Sequence, residues 1–154
     1  MGHRQPHVPC VIDGKTFASE AEGRRYQELK LMQRSGVIKR FELQPRFPLM
    51  QAFRKCKACG HNQEHIPDTQ KKSVILCHKC GKKTKVVQGM EYVADFLVTY
   101  PDGREVIEDV KGTKRFMDEV FKHKWKWFDL LYPGKNIEIV VMPVLKKPKA
   151  TRRR

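Results

Sequence analysis

Between Glu91 and Gly112 the chain reads Glu91-Tyr-Val-Ala-Asp95-Phe-Leu-Val-Thr-Tyr100-Pro-Asp-Gly103-Arg-Glu-Val-Ile-Glu108-Asp109-Val110-Lys111-Gly112. Two runs of strand-forming residues flank Pro101-Asp102-Gly103, which suits a three-residue hairpin loop with glycine in the left-handed position. That loop pairs Tyr100 with Arg104, and counting back along both strands brings Asp95 opposite Asp109. Alternation puts Lys111 on the face of Asp109. Two carboxylates and an ammonium thus meet at one place, away from the turn. The opposite face carries Ala94, Phe96, Val98, Val106 and Val110, a core face. Glu108 falls on that apolar face in the same register, and no role is assigned to it. Facing aspartates repel each other unless a cation lies between them. A hard divalent ion such as Mg²⁺ takes oxygen ligands of this kind. The plainer alternative is a solvated face on which two acids happen to pair.

Upstream, Val11 to Phe17 reads as a short hairpin around Asp13-Gly14. A helix is predicted over about residues 20–35, with Ser19 as N-cap and Glu22 completing a capping box. Ser35-Gly36 ends it, and Tyr26, Leu29 and Met32 share one face in line with Glu22. Residues 37–50 read as a strand region. Downstream, a helix is predicted over about 113–131, with Phe116, Val120, Trp127 and Leu131 on one stripe and Pro133-Gly134 as its stop. Trp125 and Trp127 read as core or dimer contacts. Ile137 to Met142 has the pattern of a strand buried in a sheet centre.

Residues 54–88 differ in character. They hold Cys56-Lys-Ala-Cys59-Gly and Cys77-His-Lys-Cys80-Gly, two Cys-x-x-Cys-Gly knuckles with 17 residues between them. Each knuckle offers two thiolates at the bite a tetrahedral zinc requires, and the glycine permits the turn. Paired disulfides or redox dithiols are the alternative, but duplicated knuckles in a short insert fit a zinc ribbon better. Four thiolates leave no open position, so such a zinc is structural and supplies the folding energy of a segment too small for its own core. The insert's eight lysines suit contact with a phosphate backbone, or an ordinary solvated surface. Cys10 is left over as an unpaired thiol.

The length of 154 residues fits one domain carrying a small insert. The expected division is a core of 11–53 and 89–145, a ribbon of 54–88, and flexible tails of 1–10 and 146–154, the last with six positive charges. Against 17 Asp and Glu stand 32 Lys and Arg, for a net charge of +15. Such an excess argues against a small-molecule enzyme and for a polyanionic partner, nucleic acid first. No apolar run approaches the ~20 residues that cross a bilayer, and the unpaired cysteine chemistry suits a reducing, cytoplasmic setting.

Asp95 followed by Asp109-Val110-Lys111 on the next strand resembles the PD-(D/E)XK nuclease signature. With Val-Ala-Asp95-Phe, Glu108-Asp109-Val-Lys111-Gly and the upstream Phe17-Ala-Ser-Glu-Ala-Glu22-Gly-Arg-Arg-Tyr helix, the chain resembles a family of short phage-encoded endonuclease-like proteins. That superfamily also contains Holliday junction resolvases. The resemblance spans about residues 10–142, interrupted by the ribbon, and departs from the pattern at Ala94, where proline is usual. It implies an α/β fold with a restriction-endonuclease-like αβββαβ core, a mixed sheet flanked by helices, into which the ribbon is inserted. It implies a Mg²⁺- or Mn²⁺-dependent DNA endonuclease in a bacterial or phage-infected cell. Asp95, Asp109 and the Val110 carbonyl would hold the metal, and Glu22, with Glu20 as second choice, would close the site directly or through water. Lys111 would position the attacking water, and Gln44 matches the polar residue near such sites. Lys114, Arg115, Lys122 and Lys126, with the tail, would hold phosphates. Analogy extends this to branched or junction DNA cut by a homodimer. The rival is a non-catalytic zinc-ribbon protein that binds DNA or RNA. It fits the charge and the cysteines equally well but leaves the Asp95, Asp109 and Lys111 cluster unexplained.

Overall fold

The Pro101-Asp102-Gly103 turn forms as its sequence predicts: Gly103 takes φ +87°, and the Tyr100 N–H donates to the Arg104 carbonyl at 2.9 Å. The structure is a computed structural model that describes residues 9–65, 74–112 and 117–143. Its elements in chain order are β1 (Cys10–Ile12), β2 (Lys15–Phe17), α1 (Glu20–Arg34), β3 (Arg40–Leu43), β4 (Arg46–Met50), β5 (Phe53–Cys56), β6 (Asn62–Glu64), β7 (Thr84–Val87), β8 (Met90–Val93), β9 (Phe96–Thr99), β10 (Glu105–Lys111), α2 (Glu119–Leu131) and β11 (Ile137–Val141). The result is a mixed α/β fold. Among the described residues no helix is long and apolar enough to cross a membrane.

The main sheet runs β11-β10-β9-β3. Its β9–β10 ladder has the predicted register, from Glu105↔Thr99 to Glu108↔Phe96, and there it stops. The stop reflects a bend. The β3–β9 ladder reaches Leu43↔Phe96, and the β4–β8 ladder resumes at Arg46↔Val93. Three steps on each strand separate those pairs, so the register passes unbroken through Gln44 and Pro45 opposite Asp95 and Ala94. The strand expected over 37–50 is therefore two strands of one bent ribbon. Gln44 turns the corner with φ +48°, a conformation costly for a residue with a side chain. Its N–H donates to the Asp95 carbonyl at 3.0 Å, and Ala94 N–H donates to the Pro45 carbonyl at 3.1 Å.

The helices cover opposite faces of this sheet. Phe96, Val98 and Val110 join Phe17, Tyr26, Leu29 and Ile38 beneath α1. Ala94, Ile107 and Ile137 join Phe47, Tyr92 and Phe128 beneath α2. Ala94 thus leaves the face predicted for it, because the bend at Asp95 interrupts the alternation. The apolar stripe predicted for the second helix is also the wrong one. Val120, Trp127 and Leu131 are 64%, 44% and 48% exposed. The inward face carries Phe121, Phe128 and Tyr132, whose rings meet Phe47 and Tyr92, and Trp125, whose ring meets Phe121. Both stripes are apolar at helical spacing, and the aromatic one removes more area from water. This helix begins at Glu119, with the Asp118 carboxylate accepting the Phe121 N–H at 2.7 Å. Phe116, Lys114 and Arg115 lie outside the described residues. β11 pairs with β10 in parallel and forms the edge of its sheet, not the centre.

The misplaced carboxylate of Glu108 is explained here. It is 2% exposed on the α1 face and forms a two-pronged pair with Arg25, whose Nε and terminal nitrogen lie 2.8 and 2.5 Å from its oxygens. These bonds hold the guanidinium above its ordinary pKa. Together they lock the helix to β10 at one rotation. Glu108→Ala should destabilise the protein by ~3–5 kcal/mol, since it strands a largely desolvated cation. Arg25→Met with Glu108→Leu should recover most of that loss in chemical denaturation. Equal stability of Glu108→Ala and the parent chain would show that the pair carries no such constraint.

Candidate functional site

Two clusters of reactive side chains emerge. The first is the cysteine ribbon, where β6-β5-β7 form a small antiparallel sheet of their own. Its two knuckles are built alike. Gly60 N–H donates to the Cys56 carbonyl at 3.0 Å and Gly81 N–H to the Cys77 carbonyl at 2.9 Å. Both glycines have positive φ, +73° and +68°, as a turn this tight requires. Gln63 ties the halves together, donating to the Leu76 carbonyl and accepting from His78 N–H, both at 3.1 Å.

The four sulfurs lie within 4.8 Å of one another, with Cys56–Cys80 at 3.5 Å and Cys59–Cys77 at 3.7 Å. A tetrahedron of thiolates about 2.3 Å from zinc has edges of about 3.8 Å. The four cysteines are thus positioned to bind a metal ion such as zinc. Backbone N–H groups of Cys59 and Ala58 pull the Cys56 thiol down to about 7, while the neighbouring sulfurs and burial push Cys80 up to about 12, as crowded thiols sharing protons do. Cys10 stands apart, half-buried, its thiol donating to the Ser19 carbonyl at 3.5 Å.

The second cluster gathers where β9 ends at the bend. β10 runs on past that point, so its Val110 N–H has no strand partner on that side. The Asp95 carboxylate takes the partner's place and accepts the Val110 N–H at 2.6 Å. Asp95 N–H in turn donates to the Glu108 carbonyl at 3.1 Å. Asp109 is 4% exposed on the α2 face and accepts from the Tyr92 hydroxyl at 3.0 Å. Its other oxygen pairs with the Lys111 ammonium, which also lies 4.8 Å from the centre of the Phe121 ring. Apart from Lys111, that oxygen has no hydrogen-bond partner among the described residues. Burial and the nearby Asp109 push the Asp95 carboxyl up to about 7, with a smaller push from Glu22. Burial and Asp109 likewise raise the Tyr92 phenol.

Glu22 comes from the first turn of α1. Its amide N–H donates to Ser19 Oγ at 3.2 Å, and its carboxylate accepts from the Ser19 hydroxyl and Ala18 N–H at 2.9 and 3.1 Å. The reciprocal Ser19–Glu22 cap forms with the backbone bond shifted to Ala18, one residue before the N-cap, and it aims Glu22 into a cleft that Gln44 and Asp95 also line. Glu22, Gln44 and Asp95 are brought together in that cleft, while Asp109 and Lys111 approach Asp95 from the opposite sheet face. The carboxylates do not converge as tightly as the thiols. Among the described residues the four cysteines form the one group of three or more possible ligands within 4.8 Å. Lys122 and Lys126 lie exposed on α2, Lys122 paired with Glu119 at 2.6 Å.

A family model described as "Protein of unknown function (DUF1064)" matches residues 7–147. The chain belongs to that family. Neither a curated protein nor a solved structure matches it. Within this DUF1064 chain, sequence reasoning missed two partnerships around the acidic cluster. Tyr92 as partner of Asp109 has no local signal, because the contact spans 17 residues and two strands. The partnership of Arg25 with Glu108 had one clue, an acid in an apolar register.

The raised Asp95 carboxyl has a sign that can be checked. Its proton is held more tightly folded than unfolded, so this group favours the fold below its ordinary 3.8 and loses that contribution as pH rises through about 7. In metal-free protein Asp95→Asn, whose amide oxygen still accepts from Val110, should therefore melt higher than the parent at pH ~8 and flatten the fall in Tm between pH ~4 and ~7. Superimposable Tm–pH profiles would remove the repulsion assigned to the Asp95 and Asp109 pair. Cys56→Ser should lose stoichiometric zinc on metal analysis, and finding no zinc in the parent protein would refute the ribbon.

Proposed function

We propose that this protein is a divalent-metal-dependent DNA endonuclease of the PD-(D/E)XK type, acting on branched DNA as a homodimer. The observation that carries the proposal is the meeting at the strand break. Asp95 there touches the β10 segment that holds Asp109 and Lys111, and Glu22 and Gln44 line the same cleft. Buried acids set beside each other at a bend cost stability, as the raised Asp95 carboxyl reflects. Such an arrangement is expected where a cation is to be held. The αβββαβ order expected of such a core is supported by α1, the bent β-ribbon, β10, α2 and the parallel β11.

In this reading Asp95, Asp109 and the Val110 carbonyl are the ligands of Mg²⁺ or Mn²⁺, and Glu22 acts through water while keeping its capping bonds. When bound, the metal would supply a water of lowered pKa and neutralise charge on the scissile phosphate. Lys111 neutralises Asp109 in the free protein. Release from that pair would let its ammonium orient the attacking water or stabilise developing negative charge. Tyr92 holds Asp109 in place through its hydroxyl. Lys122, Lys126 and the basic residues beyond the described segments would hold flanking phosphates. Symmetric cleavage of a junction needs two such sites, which a two-fold dimer supplies. The zinc of the ribbon is structural.

A second reading, a zinc-ribbon protein that binds nucleic acid without cutting it, is favoured by the tighter convergence of the cysteines. Cleavage assays on supercoiled and four-way-junction DNA separate the two. Activity should require Mg²⁺ or Mn²⁺, vanish at once in EDTA, and return with Mg²⁺ alone while the thiolate-bound zinc persists. Asp109→Asn should bind DNA almost as the parent does and cleave none. Full activity of Asp109→Asn, or recovery from EDTA only with Zn²⁺, would sink the carboxylate site.

A further inference from the structure

The cleft that holds Glu22 and Asp95 is acidic, yet the partner proposed for it is a polyanion. A phosphate can approach two carboxylates only where a cation faces it. The nearby cations are largely committed elsewhere. Arg24 donates to the Met142 and Pro143 carbonyls at 3.2 and 2.5 Å, Arg25 is bound to Glu108, and Lys111 is paired with Asp109. One cation lines the cleft itself: Lys15, with Thr16 beside it, on the β1–β2 hairpin. Among the described residues Lys15 forms no ion pair, and both residues are exposed.

The hairpin that carries them is held firmly. Asp13 and Gly14 form its tip with φ +52° and +72°, as the Asp-Gly turn predicts. The tip is tied to α1 by an Asp13–Lys30 pair at 2.5 Å, and Phe17 at the other end is buried in the core. Gly23 lets the first strand lie directly on the helix. A Cβ there would stand 2.6 Å from Cys10 Sγ and 2.8 Å from Ile12 Cδ1. Lys15 and Thr16 therefore line the cleft from an anchored hairpin backbone, which limits the entropy lost on binding.

We infer that Lys15 and Thr16 form a phosphate-binding subsite that holds the nucleic-acid backbone against the Glu22, Gln44 and Asp95 side of the cleft. The inference rests on the nucleic-acid reading above and adds to it the wall from which the strand is gripped. Lys15 is a binding residue here, contributing a charge to one phosphate, and Thr16 donates a hydrogen bond to a phosphate oxygen. The subsite is sequence-neutral, since it touches only the backbone.

The test titrates the full-length protein, Lys15→Gln and Lys15→Arg with labelled duplex and four-way-junction DNA in Ca²⁺ over a range of salt, and follows cleavage in Mg²⁺. Lys15→Gln should weaken binding on the order of 10-fold and shallow the slope of log K against log salt by about 1. Its KM should rise while kcat stays near the parent value, and Lys15→Arg should restore both affinity and slope. Unchanged affinity and slope in Lys15→Gln would overturn the subsite, as would a fall in kcat with no change in affinity, or a parent protein that binds no DNA. A parent that binds with a Lys15-dependent slope but cuts nothing in Mg²⁺ or Mn²⁺ would refute the nuclease reading and keep the subsite. Cutting with a Lys15-independent slope would do the reverse.

Discussion

One unpaired amide organises this molecule. β10 is longer than the strand beside it, because the β3–β4 and β8–β9 pair bends away at Gln44 and Asp95. The Val110 N–H left behind is interior and must find an acceptor. Asp95 supplies one from its side chain, at 2.6 Å. That single hydrogen bond places a carboxylate in the plane of the sheet, between the α1 cleft and the α2 face. The left-handed backbone of Gln44, the cleft it helps to line and the closeness of Asp95 to Asp109 all follow from the same bend.

The charges around the bend are balanced unevenly. Glu108 and Asp109 are neighbours pointing to opposite faces, and each is answered by a cation, Arg25 on one side and Lys111 on the other. Asp95 has an amide but, among the described residues, no ion pair, and burial together with Asp109 raises its carboxyl. The protein thus tolerates repulsion at Asp95, which lines the α1-side cleft and is pushed by Asp109 on the α2 face. Ordinary stability would favour its removal. A site for a positively charged ligand gives a reason to keep it.

The ribbon solves a different problem. Among its described residues the ribbon buries little beyond Cys56, Cys77, Gln63 and Thr84. A sheet that small lacks the apolar area to offset its chain entropy. Four thiolates positioned to hold a metal ion would, with it bound, supply what a core does. It joins the bent strands at a narrow neck, where a Cβ on Gly89 would stand 2.7 Å from the Met50 carbonyl oxygen. That approach explains why a glycine closes the insert.

The sequence alone determined the local features whose cause is local. Pro101-Asp102-Gly103 set the hairpin register, Asp13-Gly14 the first turn, Ser19 and Glu22 the helix start, and the Cys-x-x-Cys-Gly pairs the thiol cluster. In each turn, cap and single knuckle the residues that decide the geometry are within a few positions of one another, and the repeated motif signals that the two knuckles, 17 residues apart, come together. Tertiary structure decided the rest. Two apolar stripes competed on α2, and the aromatic one won because Phe47 and Tyr92 were there to meet it. Glu108 looked misplaced until Arg25 arrived from a helix 83 residues away. The terminal run of β-branched residues went to a sheet edge because β10 offered it only a parallel partner on that side. The bend leaves the apolar residues at the same alternate positions and changes only the face they cover, from α1 for Phe96 and Val98 to α2 for Tyr92 and Ala94. Turns and caps are read from neighbours in the chain, whereas the partner of a buried charge or an unpaired amide exists only once distant segments have packed.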